Sequence, residues 1–460
     1  MSNKLKNSLN NAEFSVLFEV ATPKTDSHLE FAVSRTKPIC DAVDKISNFN
    51  SGIAFTDKLN CLDSYNILSF ADALCGNENR DRHIFFISGT NSTVDDILKL
   101  ITNSIDAGFT NVIPVSGNPL NQKKLSKRKD SFTESTKIIS EAAFKLKENS
   151  NLNIGGVVNP FKYSPGNLYT QYFKLLKKIK LGAEFIVSQA GWDMYKYQEL
   201  RWWLENRGCF IPSLTRIVFL NPEKLDEQIL LKNNSVPVSP DFINILKKEA
   251  QLGYSQFILS QWRRLQLMIS GLKLLGHSGV IINGIESSEN IKLAEVKIST
   301  ALKEFSNFDE WKEAYINFTG RAEMYPYPYK FYSFKNLFNS AFNDLLQPTI
   351  MEDPIFSKKE IIKEHLLNFI FSKAEKKDPS HLYFLKKILT GCSKHCDECT
   401  LSKNFNVCIK QCPKLMADGP CGEVKINSSC CLSSRECVYS KVFRIASQQK
   451  DIHKLEEMFT

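Results

Sequence analysis

A chain of 460 residues that is 43% hydrophobic, 24% charged and carries 32 phenylalanines has enough apolar material for a full-sized core and a second domain, which excludes a disordered protein. Its net charge of +9 is modest for that length, and lysine and glutamate are interleaved, which disfavours a nucleic-acid-binding protein. The N-terminal residues lack the apolar core of a signal peptide, and no stretch approaches the roughly 18–20 apolar residues of a membrane span, so a cytoplasmic protein with reduced cysteines is expected.

From residue 14 to about 300, short apolar, β-branched runs alternate with longer helical ones. The runs that read as strands are Phe14–Val20, Ser51–Phe55, His83–Ser88, Asn111–Ser116, Ile154–Val158, Phe185–Ser188, more loosely Phe210–Leu220, and Val280–Ile285. The helix predicted over Ser92–Phe109 opens on Ser/Thr, carries Asp95 and Asp96 in its first turn, and sets Ile97, Ile101 and Ile105 on one face. A second, Asn167–Gly182, turns Leu168, Tyr172, Leu175 and Ile179 inward and stops at a glycine. Eight alternations in this length predict a (β/α)8 TIM barrel over residues 1–300, and the missing G-x-G-x-x-G after the first strand weakens a dinucleotide-binding sheet. The basic run Lys123–Asp130 reads as a solvated loop. Residues 301–388 read as a helical connecting region, with Tyr325–Tyr329 as a packed extended linker and an amphipathic stretch from Lys358 to Leu389. Residues 389–460 form a small cysteine-rich domain that closes on a helix over Val442–Phe459.

Nine of the 13 cysteines crowd into that last domain: Cys392, Cys396, Cys399, Cys408, Cys412, Cys421, Cys430, Cys431 and Cys437. In a reducing compartment such crowding points to soft-metal ligation rather than disulfides. Eight of them, all but Cys431, make up two four-cysteine sites for zinc or [4Fe–4S] clusters, and the odd count leaves one spare.

In a (β/α)8 barrel the chemistry sits at the C-terminal ends of the strands. Glu19 closes the first strand in an apolar setting, where a carboxylate is either a general acid or a core-edge residue paired with a lysine. Asn118, Asn159 and Gln189 follow the fourth, fifth and sixth strands; singly they are turn formers, together they suit a heteroaromatic ligand. Lys178, late in its helix, is either a phosphate ligand or a surface lysine.

At these residues the sequence resembles the methylenetetrahydrofolate reductases. Phe18-Glu19 with Pro23-Lys24-Thr25 is similar to the family's first-strand motif, and Asn111–Pro119 to the fourth-strand motif that ends in G-D. Asn159-Pro160-Phe161, Lys178 with Gly182–Gln189, and Ile211-Pro212 resemble the later strand motifs. Cys412-Pro413-Lys414 followed by Asp418-Gly419-Pro420-Cys421-Gly422 resembles a cysteine module fused to, or partnered with, some of these reductases.

The resemblance implies a flavin-dependent oxidoreductase that interconverts 5,10-methylene- and 5-methyl-tetrahydrofolate, with FAD, or FMN as the alternative, passing hydride from NAD(P)H or an electron-transfer protein. It implies Glu19 as the general acid that opens the methylene bridge, Gln189 as the pterin ligand, and Thr56, Ser88, Gly117, Asn118, Asn159 and Lys178 around the flavin. A homo-oligomer or a second subunit stays open as a partner; a nucleic acid or a membrane is not expected. Two positions depart from the family pattern. Asn118 stands where many members have Asp, and a neutral amide there stabilises anionic reduced flavin, favouring oxidation of 5-methyl-tetrahydrofolate. Phe86 stands where a histidine meets the flavin. The alternatives are a flavin-independent reductase, or a folate-binding or docking subunit of a methyl-transfer complex.

Overall fold

The computed structural model describes residues 3–57, 63–117, 131–148, 150–225, 237–339 and 400–459, with Thr349, Met351, Ile362 and Leu366. The expectations placed on Asn118, on Lys123–Asp130, on the amphipathic stretch from Lys358 to Leu389 and on Cys392, Cys396 and Cys399 lie outside the described residues, save for Ile362 and Leu366.

Eight parallel strands close on themselves in sequence order. They are β1 Ser15–Ala21, β2 Asn50–Thr56, β3 Ile84–Ser88, β4 Asn111–Val115, β5 Asn153–Val158, β6 Phe185–Ser188, β7 Ser213–Val218 and β8 Gly279–Asn283. β8 pairs back on β1, with Leu17 opposite Ile281 and Phe18 opposite Ile282. Each predicted strand is present to within a few residues. The loosely placed seventh shortens to Ser213–Val218, because Pro212 has no N–H for the ladder and Phe210 lies exposed.

The two-residue strand period sorts side chains between two cores. Val16, Phe18, Ile53, Phe55, Phe85 and Val112 face the surrounding helices. Leu17, Ala54, Ile84, Phe86, Ile113, Phe185, Val187, Leu214 and Ile281 fill the barrel. Gly155 on β5 is required by that filling, since a Cβ there would lie 2.6 Å from the Phe185 ring and 2.8 Å from Ile113. Helix α1, Lys4–Asn10, plugs the N-terminal end with Leu5 and Leu9, while Asn3 bonds Thr110 and Lys6 pairs with Glu184.

The outer ring comprises α2 Leu29–Asp44, α3 Ile67–Leu74, α4 Val94–Asp106, α5 Ser135–Leu146, α6 Pro165–Lys180, α7 Met194–Glu205, α8 Pro240–Gln251, α9 Tyr254–Leu274 and α10 Ser288–Glu304, followed by α11 Phe308–Thr319. The acid-rich start foreseen for α4 is a complete capping box: Thr93 Oγ1 accepts from the Asp96 N–H, and the Asp96 carboxylate accepts from the Thr93 N–H. After α11 the chain crosses α7. Lys196 donates to the Phe331 carbonyl, Tyr332 to Asp193, and the Ser333 N–H to Glu199. Tyr325 and Tyr329 pack on the core while Tyr327 stays exposed.

The described part of the C-terminal module, residues 400–459, has few regular elements: two short 3-10 turns, then α12 Val438–Gln448 and α13 Ile452–Phe459. One helix was expected over Val442–Phe459. The chain breaks it at Lys450, whose φ of +59° belongs to the left-handed region, and starts α12 directly after Cys437. The sequence carries no glycine or proline there to announce the break. Among the described residues no helix is long and apolar enough to cross a membrane. The module completes a second apolar cluster: Tyr439, Val442, Phe443 and Ala446 of α12 pack on Leu168, Tyr172 and Phe173 of α6 and Trp203 of α7. The rings of Tyr169 and Phe443 stack 5.7 Å apart.

Candidate active site

Strand parity decides which side chains reach the C-terminal mouth of the barrel. On the inward face above the apolar filling stand Glu19 of β1, Thr56 of β2, Ser88 of β3 and Arg216 of β7, and Gln189 follows β6. Arg216 joins them. Its Nε donates to Glu19 Oε2 at 3.1 Å and its Nη2 to Oε1 and Oε2 at 2.6 Å each, while Nη1 donates to Gln189 Oε1 at 3.0 Å. The Glu19 side chain is 1% exposed and that of Arg216 18%. The guanidinium also lies 5.7 Å from the Phe86 ring centroid.

The apolar setting read around Glu19 is therefore only part of its environment, because barrel closure brings a cation from a strand distant in sequence. Glu19 is ion-paired, and its partner is Arg216 rather than the lysine foreseen. Both of its carboxylate oxygens accept from the guanidinium in this arrangement. Arg216 was missed in the sequence, although the signal is there: a charge at an inward position inside the apolar run Leu214–Val218.

Thr56 is buried, and its hydroxyl has no hydrogen-bond partner among the described residues. The Ser88 hydroxyl bonds Thr90 Oγ1 at 3.2 Å and accepts from the Thr90 N–H. Gly117, at a φ of +80°, passes so close above them that a Cβ would lie 1.9 Å from Thr90 Oγ1 and 2.5 Å from Ser88 Oγ.

Two expected flavin contacts are engaged elsewhere. Asn159 donates from Nδ2 to the Gly422 carbonyl at 3.0 Å and accepts the Phe161 N–H, so it faces the cysteine module. Lys178 lies on the helix side of β5, with its Cδ near Gly156, and donates to the Val157 carbonyl at 2.6 Å. Burial, with Lys174 close by, pushes its ammonium down to about 7.

The cysteine module is bolted to this side of the mouth through the residues that made its motif recognisable. Lys414 donates to the Gly117 carbonyl at 3.1 Å. Asp418 accepts from Lys177 at 2.5 Å and from Thr136 at 2.8 Å, and its own N–H bonds Glu134. Glu134, buried, pairs with Lys174 at 2.6 Å and also accepts the Ala417 N–H. Lys174 reaches the Gly419 carbonyl, Gln171 that of Cys421, and Lys162 those of Gly422 and Val424. Burial drives the Lys162 ammonium below its ordinary range.

Cys412, Cys421, Cys430, Cys431 and Cys437 line one cavity of about 50 Å³ within the module. Cys421 Sγ and Cys431 Sγ are 3.9 Å apart. A tetrahedral thiolate site with metal–sulfur bonds of about 2.3 Å sets its sulfurs roughly 3.8 Å apart, so this pair is already spaced for one ion. The Cys431 thiol is shared between Cys421 and Cys430, and hydrogen bonding from it pulls both below the usual thiol range, Cys430 to about 5. Lys414 adds to the effect on Cys421, whereas burial pushes Cys437 up to about 12. Cys431, set aside as the spare, thus stands at the centre of the group, while Cys408 does not line the cavity. Among the described residues no three such donors yet converge as an ion's ligands.

A family model described as Methylenetetrahydrofolate reductase matches residues 4–247, and another described as Methylene-tetrahydrofolate reductase C terminal matches residues 375–460. No curated protein matches the chain. Among solved structures, similarity is found to an uncharacterized protein from Clostridium thermocellum that binds two copies of 5-methyl-5,6,7,8-tetrahydrofolic acid. The two are 12% identical with a TM-score of 0.46 over 64% of this chain and 99% of that one.

Proposed function

The chain belongs to the methylenetetrahydrofolate reductase family, and from that premise we propose that it is a flavin-dependent oxidoreductase interconverting 5,10-methylene- and 5-methyl-tetrahydrofolate. The observation that carries this reading is the meeting of Glu19 and Gln189 at the barrel mouth through one shared guanidinium. A buried carboxyl group and a carboxamide on one rim suit a pterin, whose ring presents donors and acceptors along the same edge. Gln189 holds the pterin, and Glu19 exchanges the proton that opens and recloses the methylene bridge. To reach the folate Glu19 must loosen the hold of Arg216.

One observation supports a flavin: Thr56 closes β2, and its buried hydroxyl has no hydrogen-bond partner among the described residues. Thr56, Ser88 and the Gly117 turn would hold the ring, and the flavin, when bound, supplies hydride transfer between the reductant and the folate. The reductant is NAD(P)H or an electron-transfer protein. One feature favours the flavin-independent alternative: Phe86, buried, lines the inner wall where the resemblance sets a histidine against the flavin.

The thiol cavity suits zinc or an iron–sulfur cluster, since five soft donors line it and two have depressed proton affinity. Cys412, Cys421, Cys430, Cys431 and Cys437 are the donors it offers, with Cys392, Cys396, Cys399 and Cys408 available to a second site.

An absorption spectrum of anaerobically purified protein, with metal analysis and a 5-methyl-tetrahydrofolate titration on the same sample, tests the reading. Flavin bands bleached by 5-methyl-tetrahydrofolate and restored by methylene-tetrahydrofolate are expected. Colourless protein that binds the folate would move the assignment to the flavin-independent reductase, and protein that binds no folate would end the proposal.

A further inference from the structure

Among the described residues Arg216 is the one cation that touches both candidate site residues, and its chemistry constrains them differently. A guanidinium only donates, so the end of the Gln189 amide that faces it must be the oxygen; the opposite flip would set N–H against N–H. Gln189 therefore has its Nε2 donor left to turn to a ligand. Glu19, in contrast, is held as an acceptor at both oxygens by the planar fork of the same side chain. Arg216 stands on a barrel strand above Leu214, flanked by the Phe86 ring, and the Glu19 carboxylate is almost wholly enclosed.

We propose that Arg216 is a positioning residue that holds the Gln189 carboxamide by its oxygen against the enclosed Glu19 carboxylate, so that Gln189 presents its Nε2 as a donor to a ring nitrogen or carbonyl oxygen of a heteroaromatic ligand. The proposal rests on the folate reading above and specifies how the mouth reads that class of ligand. A lysine in its place is a point charge without the fork, and holds one partner or the other but not both.

Calorimetric titration of the full chain with 5-methyl-tetrahydrofolate, compared across variants, tests it. Arg216→Met is expected to weaken binding by about tenfold or more, near the loss of one charge-assisted bond, with Arg216→Lys intermediate. In an E19Q/Q189A background the further change Arg216→Met should alter affinity by less than about twofold, since an effect transmitted through those two residues disappears with them. The E19Q/R216M pair, which removes both enclosed charges together, keeps the fold and its melting temperature and separates positioning from stability. Wild-type affinity in a folded Arg216→Met, or a loss that persists undiminished in the E19Q/Q189A background, overturns the proposal while the folate reading stands. Failure of the wild-type chain to bind the folate removes the reading and the proposal together.

Discussion

Within the barrel, Leu17, Ile84, Ile113, Phe185, Leu214 and Ile281 meet as an apolar filling in which no hydrogen bond fixes the register of one side chain against another. Where the cysteine module meets the barrel, Lys162, Gln171, Lys174 and Asn159 send donors to backbone carbonyls of the module, beside an apolar cluster shared with α6 and α7. Apolar packing tolerates repacking provided volume is kept, whereas enclosed polar contacts admit one arrangement and are heavily destabilised when one partner goes. The barrel is thus robust but indifferent in detail, and the docking of the module is exacting.

The largest effect should come from breaking the enclosed ion pair under the module. Glu134→Gln leaves the Lys174 ammonium buried without its counter-charge and is expected to remove about 3–5 kcal/mol of docking stability. Protease sensitivity of residues 400–459, with far-UV dichroism of the barrel unchanged, reads it; wild-type resistance would contradict the contrast drawn above. On the barrel side, Gly271→Ala in α9 drives a Cβ to 2.2 Å from the Trp311 ring. Overpacking of that kind destabilises by roughly 1–3 kcal/mol, and denaturant midpoints should fall while the module stays docked.

Acid should separate the two regions by pH. His83 and His277 are driven down to about 3, each chiefly by burial, with Arg82 and Arg80 beside the first and Arg201 beside the second. The unfolded chain binds those protons from about pH 6.5 downward and the folded chain does not, so barrel stability falls as pH drops from there toward about 3. At the interface, burial raises the Asp418 carboxyl, but the hydrogen bonds from Lys177 and Thr136 outweigh it, and the net shift is downward. Its contribution is complete above the ordinary carboxylate range near pH 4 and is lost as pH falls through the lower folded value. Denaturation midpoints that weaken between pH 6.5 and 5 while protease resistance of the module holds are expected; simultaneous loss of both would merge the regions. The smallest effect is Asp418→Asn. The Lys177 pair is about a quarter exposed on each side, so a loss of roughly 1 kcal/mol or less should appear as a modest rise in proteolysis.

The barrel was legible because its strands announce themselves locally: short apolar, β-branched runs and capped helices carry their meaning within ten residues. The site was legible only in part. Glu19 and Gln189 could be singled out as strand-end residues, but their relation depends on Arg216, which becomes their neighbour only when β7 and β8 close against β1. Asn159 shows the same limit from the other side, since an amide after a strand reads alike whether it faces a ligand or the Gly422 carbonyl. Lys178 gave no local sign that its ammonium would lie behind β5. Cys431 looked superfluous by count, and only the fold of the module sets it between Cys421 and Cys430.

The bond from Lys414 to the Gly117 carbonyl ties the module to a loop at the rim of the barrel, beside Ser88 and Thr90. A chimera that exchanged this module for one from another protein would therefore alter the rim as well as the passenger. Such an exchange could succeed only if donor and recipient agreed at Glu134, Lys174 and Lys177 on one side and at Lys414 and Asp418 on the other. Those five positions act as the lock and key of a single heritable unit rather than as two interchangeable cassettes.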